Sequence, residues 1–214
     1  MAKEEYDQWM KDLSQSLQFR DGRYWVGLPW LSGWSVDTNF NAALFRLRKL
    51  VTRLRADGFY ERYEAELVSL VKDGHAERVS ISKSKGTYYM PHRAVIRDDK
   101  ETSKVRVVFD ASARTKTGAS LNTSVSKGLE LNPSIWRMLV GFRCGTIAAT
   151  ADITKAFLQI RVKECDRDYL RFLWINRNDE LEAYRMTSVP FGATCSPFLL
   201  AAVVRHHLAS ECKS

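Results

Sequence analysis

Between Asn41 and Gly58 the apolar residues Leu44, Leu47, Val51 and Leu54 recur three or four positions apart, with arginines and a lysine filling the gaps. That period predicts an amphipathic helix with a solvated basic face, and Gly58 is its natural stop. The stretch YEAELVSLVKDG predicts a second helix, ended in the same way by Gly74. From about Arg78 the period shortens to two. HRAVIRDDKETSKVRVVFD reads as two β-rich runs around a polar connection, a hairpin whose link is longer than a tight turn. In its second run Val105, Val107 and Phe109 share one face, and Arg106, Val108 and Asp110 the other.

The pattern changes again near Leu131. PSIWRMLVGFR predicts a short helix, and CGTIAATADI is an apolar run of strand length with Asp152 near its end. FLQIRVK, DYLRFLWIN and ELEAYRMTSVPFG predict further strands. SPFLLAAVVRHHLA predicts a helix with Ser196 at its N-cap and Pro197 at its first helical position. The expected class is α+β without regular βαβ alternation. Three regions follow: a largely helical 1–78 with an aromatic, Gly- and Pro-containing opening (GRYWVGLPWLSGW), a strand-and-loop 79–130, and a mixed 131–214.

Composition narrows the function. The 214 residues are 45% hydrophobic and 11% aromatic, enough for a real core, and the formal net charge of +8 favours a polyanionic partner, nucleic acid ahead of membrane. The N-terminus is too polar for a secretory signal and the longest apolar run, PFLLAAVV, is too short to span a bilayer, so an intracellular protein is expected. Cys144, Cys165, Cys195 and Cys212 form no C-x-x-C pair and read as reduced thiols. His206 and His207, adjacent on a helix, do not suit a zinc site. The loop ASARTKTGASLNTSVSKG carries three cations and is rich in Ser, Thr and Gly, a composition able to approach phosphates.

Asp152 taken alone reads as a carboxylate that caps the backbone of the turn following it. Three separated stretches change that reading. KVRVVFDASA, ATADITKAFLQIRV and VPFGATCSPF occur in that order and together resemble the reverse transcriptase of long-terminal-repeat retroelements, closest to the BEL/Pao retrotransposons. YYMPHRAVI and the GRYWVGLPW opening are similar to the same group, so the resemblance covers nearly the whole chain.

The resemblance implies the fingers and part of the palm of a right-hand polymerase, with a helical N-terminal extension in 1–78, fingers strands and loop in 79–130, and partial palm with an interleaved fingers segment in 131–214. It implies template-directed DNA synthesis on RNA or DNA, with deoxynucleoside triphosphates as substrates, a template–primer as partner and Mg2+ as cofactor. Asp152 would be a metal-binding catalytic carboxylate, joined by the backbone carbonyl of Ile153, since magnesium favours hard oxygen ligands. Phe157 would lie under the sugar of the incoming nucleotide and exclude a 2′-hydroxyl by its bulk. Arg106 would lie against the triphosphate, and Asp110 would position its strand. A neighbouring lysine is ambiguous among Arg97, Lys100 and Lys104, with Lys104 preferred. Phe191 and Gly192 would shape the nucleotide pocket, the glycine allowing close backbone approach.

One departure qualifies this. The family pattern continues to an aromatic-x-Asp-Asp hairpin bearing the second metal-binding aspartate, and the one Asp-Asp pair here, Asp98 and Asp99, lies upstream in the polar connection. The expectation is therefore an incomplete polymerase, inactive alone, whose remaining polyprotein domains would be partners in the cytoplasm or a virus-like particle. The rival is a non-catalytic basic nucleic-acid-binding remnant, or a degenerate open reading frame.

Overall fold

A computed structural model describes residues 17–96 and 105–211 of the chain. It opens on a tight hairpin, β1 (Gln18–Arg20) and β2 (Arg23–Val26), joined by Asp21 and Gly22 at φ values of 54° and 71°. Two successive left-handed residues match the right-handed twist of the flanking strands, which is why Asp-Gly suits this turn. β2 then pairs in parallel with a two-residue strand much later in the chain, Arg161–Val162.

The two basic helices form as their periodicity predicts. α1 (Phe40–Ala56) buries Phe40, Ala43, Leu47, Val51 and Leu54, and α2 (Tyr60–Lys72) buries Tyr60, Tyr63, Glu64 and Leu67. Gly58 and Gly74 end them with φ near +70°, and in each case paired bonds from the glycine and its successor reach back into the last turn: Phe59 N–H to Leu54 O, and His75 N–H to Leu70 O. Only a residue without Cβ enters that conformation at little cost. Asn39, buried before α1, bonds both backbone groups of Tyr89 at 2.8 Å and fixes the helix to the 88–90 segment.

β3 (Ala76–Val79) follows α2, and the expected hairpin is present as β4 (His92–Ile96) paired antiparallel with β5 (Val105–Phe109). Its connection, 97–104, lies outside the described residues and with it Arg97, Lys100 and Lys104. A single helical turn, α3 (Leu121–Ser124), is capped by reciprocal bonds between Ser120 and Thr123. Then come α4 (Ile135–Arg143), a 3-10 turn over Ala156–Gln159, β6 (Arg161–Val162), α5 (Glu164–Arg167), β7 (Arg171–Ile175), β8 (Leu181–Met186) and α6 (Ser196–Glu211).

The fold is mixed α+β, and among the described residues it has three small sheets, ordered β1-β2-β6, β3-β8-β7 and β4-β5. Pairings join distant parts of the sequence, because β3 from the first region docks on β8 and β2 on β6. One apolar cluster runs from Val26 through Tyr63, Phe109 and Phe172 to Leu199. No helix among the described residues is long and apolar enough to cross a membrane.

Three expectations need correction. The last helix begins at Ser196 itself, with Leu199 N–H bonded to Cys195 O and the Ser196 hydroxyl donating to Pro190 O, so Ser196 is not its N-cap and Pro197 is its second residue. Residues 144–153 form no strand: the backbone is irregular and exposed, Ile147 89% so. An apolar run becomes a strand only when another strand takes up its N–H and C=O groups, and no described strand runs beside this one. FLQIRVK is strand only at Arg161 and Val162, because Lys155, at φ 52°, turns the chain into the 3-10 segment first.

Candidate functional site

Of the three stretches that are far apart in sequence, the second and third meet through a backbone bond, and the first meets the third by the close approach of Gly192 to Phe109. Val189 N–H donates to Ile160 O at 2.9 Å, and Val162 N–H to Thr187 O at 2.9 Å, so the 187–189 segment is laced to the residues that follow Phe157. The turn beyond it brings the Phe191 ring to 5.9 Å from the Phe157 ring, centroid to centroid and inclined by 56°. Phe157 is half-buried against the core, whereas Phe191 is 63% exposed. One ring is thus held and the other presented to solvent.

Gly192 carries that turn onto the end of β5. Its φ is +114°, and a Cβ there would come within 2.4 Å of Phe109 O, closer than van der Waals contact allows. Asn122 on α3 clamps the same turn from the other side: its Nδ2 donates to Gly192 O at 3.2 Å and to Ser112 Oγ at 2.8 Å, while its Oδ1 accepts Thr194 N–H at 2.8 Å. Beyond the turn, Cys195 is buried, and burial pushes its thiol up to about 12, so it is no nucleophile at neutral pH.

β5 supplies the polar face. Arg106 is exposed opposite Val95, on the strand face it shares with Asp110. Asp110 does position its strand end. Its Oδ1 accepts Ser112 N–H at 3.0 Å and its Oδ2 accepts Arg46 Nη1 of α1 at 2.9 Å, while its own N–H donates to Pro91 O. Arg46, Pro91, His92, Arg93, Val108, Phe109 and Asp110 line an open cavity of about 390 Å3 beside it.

Asp152 and Ile153 lie apart from this arrangement in character: both are exposed, on the irregular segment leading to the turn at Lys155. That turn is anchored by Lys155 Nζ on Asp73 Oδ2 at 3.0 Å, a pairing that holds the Asp73 carboxyl below its ordinary value. A carboxylate and a backbone carbonyl are the right kind of donor for magnesium. They are too few, and among the described residues no group of three or more His, Cys, Asp or Glu could hold a metal ion. The metal set is therefore not assembled from the described residues alone.

The structure thus gathers Phe157, Phe191 and Gly192 against the end of the strand bearing Arg106 and Asp110; Lys104 is outside the described residues. Arg46 and Asn122 were not foreseen. Arg46 belongs to a helix face whose periodicity says only that it is solvated, and nothing in SLNT marks Asn122 as a clamp. No family model matches the chain, and no curated protein matches it by sequence.

Proposed function

We propose that this chain is the fingers and first part of the palm of a reverse transcriptase resembling those of BEL/Pao retrotransposons. The observation that carries the reading is the convergence of the three resembling stretches, with Val189 bonded to Ile160, Phe191 beside Phe157 and Gly192 seated on Phe109. Nothing in the local periodicity of those stretches requires them to meet. In the proposed role Phe157 excludes ribose, the exposed Phe191 ring and the Gly192 backbone bound the nucleotide, and Arg106 attracts its triphosphate. Asp152 with the Ile153 carbonyl contributes part of a magnesium set that a second carboxylate must complete. Two bound ions would supply an activated primer oxygen and a neutralised leaving group.

The test joins the chain to an Asp-Asp hairpin and thumb and measures primer extension with magnesium. Extension is expected, and Asp152→Asn, which keeps the shape and removes the charge, should abolish it. Phe157→Ala should admit ribonucleotides far more readily than it impairs deoxynucleotide use. Extension that survives Asp152→Asn would reject the catalytic assignment. Salt-sensitive template binding without any extension would favour the non-catalytic nucleic-acid-binding reading instead.

A further inference from the structure

The hairpin register puts Arg20 directly opposite Arg23, and the parallel pairing of β2 with β6 puts Trp25 beside Arg161. Like charges facing each other across a strand pair are destabilising. A fourth cation, Arg167 of α5, lies over the Trp25 ring at 5.3 Å, and Arg20 lies over that ring at 4.5 Å. Two guanidinium groups thus lie over one indole, and Arg23 and Arg161 join them from the paired strands. They line an open cavity of about 350 Å3 together with Asp21, Gly74, Glu77, Glu164 and Thr187.

The partners of these cations hold them without neutralising most of them. Arg161 Nη1 donates to Gly74 O, to Thr187 Oγ1 at 2.7 Å and to Ser188 Oγ at 3.4 Å, all uncharged acceptors. Glu77 is shared between Arg167 at 3.2 Å and Arg185 at 2.7 Å. Asp21 and Glu164 are exposed. The Arg161 guanidinium is held below its ordinary value by burial first and then by the charges of Arg23 and Arg167, as a cationic neighbourhood requires. Within the same cavity wall, Arg23 Nη1 and Trp25 Nε1 are buried donors with no hydrogen-bond partner among the described residues. Buried donors are seldom left so, because each has given up its bonds to water without replacement.

The geometry points to this cavity as a binding site for a phosphoryl group, contacted by Arg20, Arg23, Trp25 Nε1 and Arg161. A phosphoryl group carries several oxygens around one centre and accepts from donors on different sides, as a hairpin, a neighbouring strand and an indole present them; a planar carboxylate has only two. The group comes either from free phosphate or from the phosphodiester backbone of a nucleic-acid strand. The site stands independently of the polymerase reading, because it uses none of Asp152, Phe157 or Phe191.

Calorimetric titration of the whole chain with inorganic phosphate at fixed ionic strength, and separately with a short oligothymidylate, tests this. Binding is expected, weakened at least about ten-fold by Arg23→Gln and left unchanged by Arg48→Gln, which removes one charge from the exposed face of α1. Should Arg23→Gln fail to give a native near-ultraviolet spectrum, Arg20→Gln, at an exposed position, takes its place with the same expected direction. Oligothymidylate that competes with phosphate identifies a nucleic-acid strand as the source, and phosphate binding without competition identifies free phosphate. If neither probe binds, or if Arg48→Gln loses as much as the cavity variant, the site does not exist.

Discussion

Tyr63 Oη donates to His92 Nδ1 at 2.6 Å in the interior, while the opposite ring nitrogen of His92 donates to Leu173 O at 2.8 Å. The two bonds fix one neutral tautomer, since Nδ1 must accept and Nε2 must carry the proton. They also join α2, β4 and β7 at one point. Burial lowers the His92 pKa to about 4, against a small opposing effect of the Leu173 carbonyl, and the same burial raises that of Tyr63, which stays a donor.

Stability should fall with acid in a defined window. His92 is depressed in the fold and ordinary, near 6.5, in the unfolded chain, so between about 6.5 and about 4 the unfolded state binds a proton that the native state refuses. Its contribution is full above about 6.5 and is lost as pH falls, by roughly 1.4 kcal/mol per unit and about 3 kcal/mol in all. His75, also lowered by burial, adds a slope of the same sign. Urea unfolding between pH 7.5 and 4.5 measures the sum. His92→Gln keeps a donor for Leu173 and an acceptor for Tyr63 without titrating, so it should remove the His92 share; a variant with the full slope would place the titration elsewhere.

Gly192→Ala should cost roughly 2–4 kcal/mol, because it adds a left-handed strain to a collision with the Phe109 carbonyl. Gly33→Ala separates the two effects: its φ is also positive, at +69°, but nothing stands within 4 Å of the new methyl, and about 1 kcal/mol is expected. Denaturation midpoints compare them. Equal losses would mean that the turn does not press on β5.

Asp166 is the acceptor that anchors the aromatic opening of the chain. Its Oδ2 takes the buried Leu28 N–H at 2.7 Å and its Oδ1 takes Trp30 Nε1 at 2.8 Å, with Trp30 stacked on Trp34 at 3.8 Å. Asp166→Ala leaves both donors unpaired and should cost about 2–4 kcal/mol. Asp166→Asn retains one amide oxygen and should cost less. Tryptophan emission should shift to the red with the alanine, as the stack loosens; an unshifted spectrum with unchanged stability would deny the anchor.

What could be read from sequence was what local physics decides. α1 and α2 were visible because their apolar stripe and terminal glycines lie within one helix, and the β4–β5 alternation was visible because Val105 and Phe109 are buried while Arg106 is not. The Asp21–Gly22 turn was equally local, a strong hairpin signal that the aromatic composition around it obscured. The 144–153 run misled for the opposite reason: apolar length predicts a strand, but strand formation depends on a partner. The site stands between these cases. The Phe157–Phe191 contact depends on bonds between Ile160 and Val189, which no periodicity encodes, so family resemblance alone suggested that these residues belong together.

The apolar surface of α4 should govern how the protein behaves in solution. None of its nine residues is buried, and Ile135, Trp136, Met138, Leu139, Val140 and Phe142 are each between 45% and 75% exposed. Single exposed apolar residues are ordinary, but six on one helix form a contiguous patch of the kind that drives self-association. The isolated chain should therefore bind an apolar dye such as ANS and scatter light increasingly with concentration. Trp136 and Val140, the two most exposed of the six, stand one turn apart on the same face, so the double substitution Trp136→Glu and Val140→Lys places an acid four residues before a base, supports the helix by about 0.3–0.5 kcal/mol and breaks up the patch with two charges. Dye binding should drop several-fold and the monomer fraction in size-exclusion chromatography should rise, with far-ultraviolet dichroism unchanged. If dye binding and association persist in that variant, the adhesive surface lies elsewhere on the molecule and α4 is not its source.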